Sequence, residues 1–337
     1  MLGEFRDSVG EGDRDNMRVR SAVRDGLLCH EKALPPWLFY DEEGSRLYEL
    51  ITELPEYYPC RTERRLLEDH AGAIVDAAAA GSDQALSVVE IGAGTASKSQ
   101  ILLGAIVRRQ GRTTFMAGDI SGAALRLATT RLGREEPNVR VRAVVAHHES
   151  VLHEARGLPG RQLLLFMGSS IGNYDDEAAA TLLAASRAAL REGGALLLGT
   201  DLRKSPGVLV RAYDDAEGVT ARFNKNLLVR INRELGGRFD PTLFRHVALW
   251  NEGASRIEMH LESAVEQTVR IEALGIHVHF RKGERIHTES SKKYDEAMVD
   301  ALLGASGFRR ERTFVDRDGL FAVHLARTAA PVSRRVS

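Results

Sequence analysis

Several features that define whole classes of protein are missing from this chain. Only two cysteines, Cys29 and Cys60, occur in 337 residues. That is too few for a disulfide framework and points to a reducing cytoplasm. Neither has a companion at metal-ligand spacing, so no metal is expected. No apolar stretch reaches membrane-spanning length, and the N-terminal residues are polar and charged, so neither a membrane segment nor a secretory leader is expected. A net charge of −1 offers no surplus for broad phosphate neutralisation, which argues against a nucleic-acid partner. Internal repeats and long low-complexity tracts are absent too. What remains is a composition of 43% hydrophobic and 28% charged residues, that of a soluble globular protein, in a chain long enough for one large domain or two of ordinary size.

The chain is organised around Leu86-Ser-Val-Val-Glu-Ile-Gly-Ala-Gly-Thr95. The β-branched run ends in two glycines and a helical pattern follows from Ser97, the opening strand–turn–helix of a nucleotide-binding α/β sheet. Gly92 and Gly94 let the backbone turn sharply and approach a ligand with no Cβ in the way. The next strand, Thr113–Asp119, ends in a carboxylate placed to accept both hydroxyls of a ribose. A dinucleotide fingerprint wants a third glycine where Ser97 stands. An acid inside the strand, Glu90, followed by Gly-x-Gly instead suits S-adenosylmethionine, whose sulfonium and amino groups are cationic and which carries no phosphate. A lone Gly-x-Gly would be explained equally by relief of crowding; the ordered set Glu90, Gly92, Gly94 and Asp119 favours a ligand.

Along the chain, residues 1–20 are charged and glycine-bearing with little apolar periodicity, and are expected to be flexible. A dense aromatic segment follows to Asp41, then a short helix over 44–54 and the rigid Pro55-Glu-Tyr-Tyr-Pro59. An amphipathic helix is expected over 62–80, capped by Thr62. Strands at 86–91, 113–118, 139–145, 162–167 and 195–199 alternate with helices at 97–108, 121–132, 149–156 and 175–190, predicting a parallel sheet with right-handed crossovers. The pattern breaks at 203. A long helix is expected over 209–235, with Gly218 a weak point. Short strands at 247–250, 256–263, 266–273 and 276–280 then form a mostly antiparallel patch. A helix at 295–303 and a hairpin of 308–315 with 320–326 close the chain before a loose basic tail, 328–337.

Ligands in such sheets bind beyond the carboxyl ends of the strands. The fourth strand therefore delivers Gly168-Ser-Ser-Ile-Gly-Asn173 over the methyl donor, and Asn173 offers both a donor and an acceptor. Methylating an amine needs little acid–base machinery: the neutral nitrogen must be aimed at the methyl carbon in line with the departing sulfur. An amine that ends with three methyls keeps no N–H, so the site should grip the rest of the substrate, and Tyr and Asn side chains suit that task. His277 and His279 share a strand face but lack a third ligand and read as strand residues. His147-His148 reads as loop, and Arg334-Arg335 as solvated charge.

From roughly Leu27 to Ala326 the chain resembles the histidine-specific Nα-methyltransferases of ergothioneine biosynthesis. The resemblance rests on Leu34-Pro-Pro-Trp-Leu-Phe-Tyr-Asp41, Leu54-Pro-Glu-Tyr-Tyr-Pro-Cys-Arg-Thr62, Val89-Glu-Ile-Gly-Ala-Gly-Thr95, Gly168-Ser-Ser-Ile-Gly-Asn173 and Gly199-Thr-Asp-Leu202. Val210-Arg-Ala-Tyr-Asp-Asp215, Gly218-Val-Thr220, Phe223-Asn224, Arg256-Ile-Glu-Met259 and Thr288-Glu-Ser-Ser291 complete it. It implies a class I S-adenosylmethionine (SAM) methyltransferase: a Rossmann-like seven-stranded α/β sheet with a second α+β substrate-binding domain inserted. The methyltransferase domain would span 62–202 plus 291–327, and the substrate-binding domain 21–61 plus 203–290.

By the same resemblance, Tyr57, Asn173 and Tyr213 hold the amine and carboxylate of the amino acid, Glu289 and Ser291 hold the imidazole, and Met259 lines the pocket. Tyr40 lies near the reacting nitrogen and the donor, so Tyr40 and Asn173 are the catalytic candidates. Gly92, Gly94, Lys98, Asp119 and Gly168 bind SAM, which leaves as S-adenosylhomocysteine. Imidazole offers one N–H and one bare nitrogen, complementary to a carboxylate beside a hydroxyl. The family carries an Asp-Phe pair at the adenine, and this chain departs from it with His147-His148 after Ala146. The expected enzyme is a cytoplasmic monomer that transfers three methyl groups to the α-amine of L-histidine, giving hercynine. Rivals are the same chemistry on another aromatic amino acid such as tryptophan, a non-catalytic histidine-binding relative, and a nicotinamide-dependent oxidoreductase.

Overall fold

In the computed structural model, which describes residues 4–6, 11–81 and 83–328, the run around Val88 forms strand Leu86–Ile91, buried along its whole length. Thr113–Asp119 and Arg161–Phe166 pair with it in parallel on either side. Val139–Val145 and Ala195–Asp201 extend the sheet outward. Val88 belongs to a core cluster with Phe115, Leu163 and Leu197, whereas its neighbour Val89 belongs to another with Met116, Leu164 and Leu198. Both sheet faces are therefore covered, which is why these strands read as unbroken apolar runs. Each such side chain, fully buried, contributes about 1.5–3 kcal/mol.

Phe321–Thr328 then inserts antiparallel between Ala195–Asp201 and Phe308–Val315. The hairpin turns at Asp316, whose carboxylate accepts the backbone N–H groups of Asp318, Leu320 and Phe321. These are the seven expected strands, with an addition: Glu4–Arg6 pairs in parallel with Val139–Val145, giving a sheet of eight strands.

The chain divides into two compact units. The first carries this sheet on Glu4–Arg6, Thr62–Leu202 and the chain from Tyr294. The second runs from helix Glu11–Leu28 to Arg61 and from Arg203 to Lys293. The boundary at 293/294, where the sequence places it at 290/291, leaves Ser291 in the same unit as Glu289.

Within the second unit, Phe244–Asn251, Arg256–Ser263 and Arg285–Lys292 form an antiparallel sheet edged in parallel by Lys32–Ala33. Gln267–Ile271 and Ile276–Phe280 form a separate hairpin. Helix Glu42–Glu53 is capped by Asp41, which accepts the Gly44 N–H at 2.7 Å. Helix Val219–Leu235 buries Phe223, Leu227, Leu228 and Ile231, and stops at Gly236 in the left-handed conformation.

Several sequence expectations are corrected. Of residues 1–20, 1–3 and 7–10 lie outside the described residues, but 11–20 are not irregular: helix Glu11–Leu28 buries Val19, Val23 and Leu27, one residue per turn among charges. The helix expected from Thr62 begins at Tyr58, so Thr62 is not its cap; Pro59 sits in the first turn, where its missing N–H costs nothing. The expected 209–235 helix is two, Pro206–Tyr213 and Val219–Leu235. Between them Gly218 adopts φ +67°, and Asp215 accepts the N–H groups of Val219 and Thr220 at 2.8 Å. Strand Arg285–Lys292 had no counterpart in the periodicity, because its sequence is mostly polar. Of the expected tail, residues 329–337, including Arg334-Arg335, lie outside the described residues.

Candidate functional site

In the first unit, the loop after Leu86–Ile91 places Gly92 at φ +72° and Gly94 at φ +53°, conformations that glycine adopts without strain. A Cβ added at Gly92 would meet only the Nε2 of His148, at 3.8 Å, so the strand end opens onto free backbone. Asp119, ending Thr113–Asp119, accepts the Gly94 N–H on one carboxylate oxygen and the Ser121 N–H on the other, both at 2.8 Å. Burial raises its pKa, and these backbone bonds oppose the rise. The carboxylate thus ties the glycine turn to the second strand and keeps spare lone pairs for a ligand.

Glu90 is buried in the strand and accepts the Ser99 hydroxyl. Burial pushes its pKa up to about 8, against the hydrogen bond from Ser99 and the Lys98 charge. Lys98 is ion-paired with Glu63, a fully buried carboxylate on helix Tyr58–Ala79. Glu63 also accepts the N–H of Gly168 at 2.9 and 3.0 Å on its two oxygens. A Cβ at Gly199 would come within 2.3 Å of Glu63 Oε1, so glycine there makes room for the carboxylate. Glu63 therefore links two expected donor contacts, Lys98 and Gly168, and motif reading missed it because it lies mid-helix.

After Gly168, Ser169 takes the left-handed conformation at φ 57° and accepts the Asp201 N–H at 2.8 Å. The tight turn Ser170–Asn173 that follows leaves Asn173 half-buried. His147 sits at the start of helix His148–Ala155. His148 Nδ1 lies 3.1 Å from the Tyr174 hydroxyl, and its ring meets Phe166 edge-on at 5.7 Å. Burial lowers the His148 pKa to about 4, so the ring stays neutral at physiological pH.

In the second unit, the pairing of Arg285–Lys292 with Arg256–Ser263 slips by one residue between His287 and Glu289. His287 faces His260 across the strands, and unbroken register would set Glu289 opposite Glu258. The bulge sets it opposite Met259 and sets Ser291 opposite Ile257. Directly opposed residues share a sheet face, so one irregularity moves Glu289 and Ser291 to the face of Met259 and away from Glu258. Thr288 holds the bulge by donating to the Met259 carbonyl at 3.0 Å.

Tyr213, closing helix Pro206–Tyr213, places its hydroxyl 2.7 Å from Ser291 Oγ. The rings of Tyr57 and Tyr213 meet edge-on at 5.9 Å. Tyr48 meets Tyr57 at 6.4 Å and Tyr40 at 5.8 Å, and Tyr40 meets Phe223 at 6.1 Å. Burial first, then the neighbouring hydroxyls and the charge of Glu289, raise the Tyr57 pKa well above its ordinary value, keeping the phenol protonated. Behind Tyr213, His246 Nε2 lies 2.8 Å from its carbonyl oxygen and His246 Nδ1 lies 2.9 Å from Asn224 Nδ2. Burial lowers the His246 pKa. An amide nitrogen can only donate, so His246 is the Nε2–H tautomer, with both ring nitrogens committed.

The structure thus brings Tyr40, Tyr57, Tyr213, Met259, Glu289 and Ser291 into one unit. Gly92, Gly94, Lys98, Asp119, His147, His148, Gly168 and Asn173 are in the other. Sequence reading missed Lys293, which is fully buried and donates to Tyr213 and Ser291 at 2.9 and 2.8 Å. The alternation Glu289, Ser291, Lys293 was the available signal. His277 and His279 are exposed on their hairpin, and no cluster of three metal-ligating side chains occurs among the described residues.

A family profile described as histidine-specific methyltransferase, SAM-dependent, matches residues 19–328. The histidine N-alpha-methyltransferase of Mycolicibacterium smegmatis is 43% identical over 91% of this chain and 94% of its own length. That of Mycobacterium tuberculosis is 42% identical over 94% of this chain and 97% of its own. Ergothioneine biosynthesis protein 1 of Schizosaccharomyces pombe is 30% identical over 70% of this chain, a match spanning 31% of that longer protein.

Proposed function

The chain belongs to the family of SAM-dependent, histidine-specific methyltransferases, and from that premise we propose how its two units share the methylation of L-histidine on its α-amine. The donor supplies an electrophilic methyl group on a sulfonium; the protein's part is to bind, orient and desolvate. In the first unit, Gly92 and Gly94 would admit the donor close to the backbone and Asp119 would accept its ribose hydroxyls. Lys98 would meet its carboxylate, and Gly168, His147 and His148 would border it. The fit rests on the open backbone at Gly92 and the oriented carboxylate of Asp119.

In the second unit, Glu289 would accept the imidazole N–H and Ser291 would donate to the bare nitrogen, with Met259 beneath the ring. Tyr57 would donate its hydroxyl to the carboxylate and Tyr213 would offer an oxygen lone pair to the amine; the resemblance gives Asn173 a part in the same task. Tyr40 would border the reacting nitrogen. The observation that carries this reading is the bulge that puts Glu289 and Ser291 on the Met259 face. A carboxylate acceptor two residues from a hydroxyl matches imidazole and leaves indole, with its single N–H, one contact short.

We take the amine through three rounds, to Nα,Nα,Nα-trimethylhistidine, which would feed ergothioneine synthesis. In each round the nitrogen lone pair forms the new N–C bond while the C–S bond breaks. The amine sheds a proton to solvent before each attack, and the last product is a quaternary ammonium. Because grip falls on the ring and carboxylate, the nitrogen can lose every N–H and still be held. A cytoplasmic monomer completes the reading. Its test is mass spectrometry of reactions containing SAM and each proteinogenic amino acid separately. Histidine alone should gain three methyls. Gain on tryptophan would overturn the roles of Glu289 and Ser291, and gain on none would support a non-catalytic binder.

A further inference from the structure

Three groups in the second unit form a closed triangle. Lys293 Nζ lies 2.9 Å from the Tyr213 hydroxyl and 2.8 Å from Ser291 Oγ, and the two hydroxyls lie 2.7 Å apart. The ammonium also sits 4.7 Å from the centre of the Tyr213 ring. Lys293 is fully buried, and its backbone is pinned on both sides: its N–H donates to the Ser255 carbonyl at 2.7 Å, and its carbonyl accepts the Ser255 hydroxyl at 2.8 Å.

An ammonium has three donors and no acceptor, so both hydroxyl oxygens must accept from it. The bond between the hydroxyls then uses one proton. A phenol, with a pKa of about 10, is a stronger acid than an alkyl alcohol and hence the better donor; the ammonium at its oxygen sharpens that difference. Tyr213 therefore donates to Ser291. A serine oxygen has two lone pairs, and both are now filled, by Lys293 and by Tyr213. Ser291 is left able only to donate.

We propose that Lys293 is a specificity-determining positioning residue: by fixing Ser291 as a donor, it makes the second unit select a neutral imidazole, with its bare nitrogen, over an imidazolium. An imidazolium carries two N–H groups and needs two acceptors, whereas this face offers one, Glu289, and one donor. The ammonium adds repulsion of the same sign. Among the described residues, the titratable groups around this face include Tyr213 on helix Pro206–Tyr213, Tyr57 ahead of helix Tyr58–Ala79 with Tyr48 and Cys60 beside it, and His246 behind Tyr213. This inference rests on the histidine reading above and goes beyond it in naming the protonation state selected and the residue that selects it.

The experiment measures KM and kcat for histidine from pH 5.5 to 8.5 in the full-length protein, Lys293→Met, Lys293→Arg and Ser291→Ala, with thermal melts for folding. The ratio of KM in Lys293→Met to KM in the parent cancels the pH dependence of the α-amine. It should fall about tenfold from pH 7.5 to 5.5, because the released Ser291 can turn and accept from the imidazolium. Lys293→Arg, which keeps a cationic donor, should restore the parent profile. Should Lys293→Met not fold, the Ser291→Ala ratio must fall in the same direction. Ratios constant with pH, even with KM uniformly raised, would overturn the inference and leave Lys293 a structural residue. A parent protein that methylates histidine at no pH would instead overturn the histidine reading, and this inference with it.

Discussion

A donor bound in the first unit would meet mainly backbone. There, two glycines sit at positive φ, a carboxylate is clasped by the N–H groups of Gly94 and Ser121, and the Gly168 N–H is held by Glu63. The second unit prepares with side chains. Tyr57, Tyr213, Ser291, Lys293 and Glu289 come from three separated stretches of chain and meet through edge-on rings, a hydroxyl–ammonium triangle and a bulge. A donor common to many methyltransferases needs only a shape that backbone can make. A single amino acid has to be told from its neighbours by chemistry, and that takes side chains.

If this division is real, substitutions in one unit should move the affinity for one substrate and spare the other. The largest effect is expected at Asp119→Ala, which strips the Gly94 and Ser121 N–H groups of their acceptor and removes the expected ribose contact. At roughly 1.5–3 kcal/mol for each charge-assisted bond, the KM for SAM should rise 100-fold or more, with the KM for histidine changed less than threefold. Steady-state titration of each substrate checks this.

A smaller effect, about tenfold on the KM for SAM, is expected at Glu63→Gln, which leaves Lys98 without the charge of its buried partner. Gly199→Ala should reproduce it, because the new methyl would lie 2.3 Å from Glu63 Oε1. A Gly199→Ala protein with parent kinetics would show that the Glu63 link is dispensable.

The smallest effect is on stability without ligand. The Glu90 carboxyl titrates at about 8 in the folded chain against an ordinary value of 4.5, because burial disfavours its charge. Between those values the folded state holds a proton that the unfolded chain has released, so stability falls as pH rises through this window and the loss is complete above it. Glu90→Gln, which mimics the protonated acid, should melt like the parent near pH 5. Near pH 9 it should melt higher, by about 2–4 °C for each kcal/mol relieved. Equal melting at both pH values would place the ionised carboxylate in a better-solvated site.

The same division explains what could be read from the sequence. Strand Leu86–Ile91, its glycines and Asp119 announce themselves because burial on both faces, a sharp turn and a strand-end acid each demand particular residue types within a few positions. The closing hairpin is equally legible through Asp316-Arg-Asp-Gly319. Strand Arg285–Lys292 is not, because a polar edge carrying a bulge has no period of two along its length, and family resemblance alone pointed to Glu289 and Ser291. Lys293 and Glu63 escaped notice because a buried charge is recognisable only by its partners, which lie 80 and 35 positions away in Tyr213 and Lys98. The helix Glu11–Leu28 was missed because one apolar residue per turn is too narrow a stripe to stand out among charges.

The most direct test of the division is Glu289→Gln, assayed for the KM of both substrates in one preparation. The amide keeps the size and a carbonyl acceptor but loses the charge, so the KM for histidine should rise about 10- to 100-fold while the KM for SAM stays within a factor of about two. An unchanged KM for histidine, or an equal rise for SAM, would contradict the assignment of the imidazole to the bulged strand.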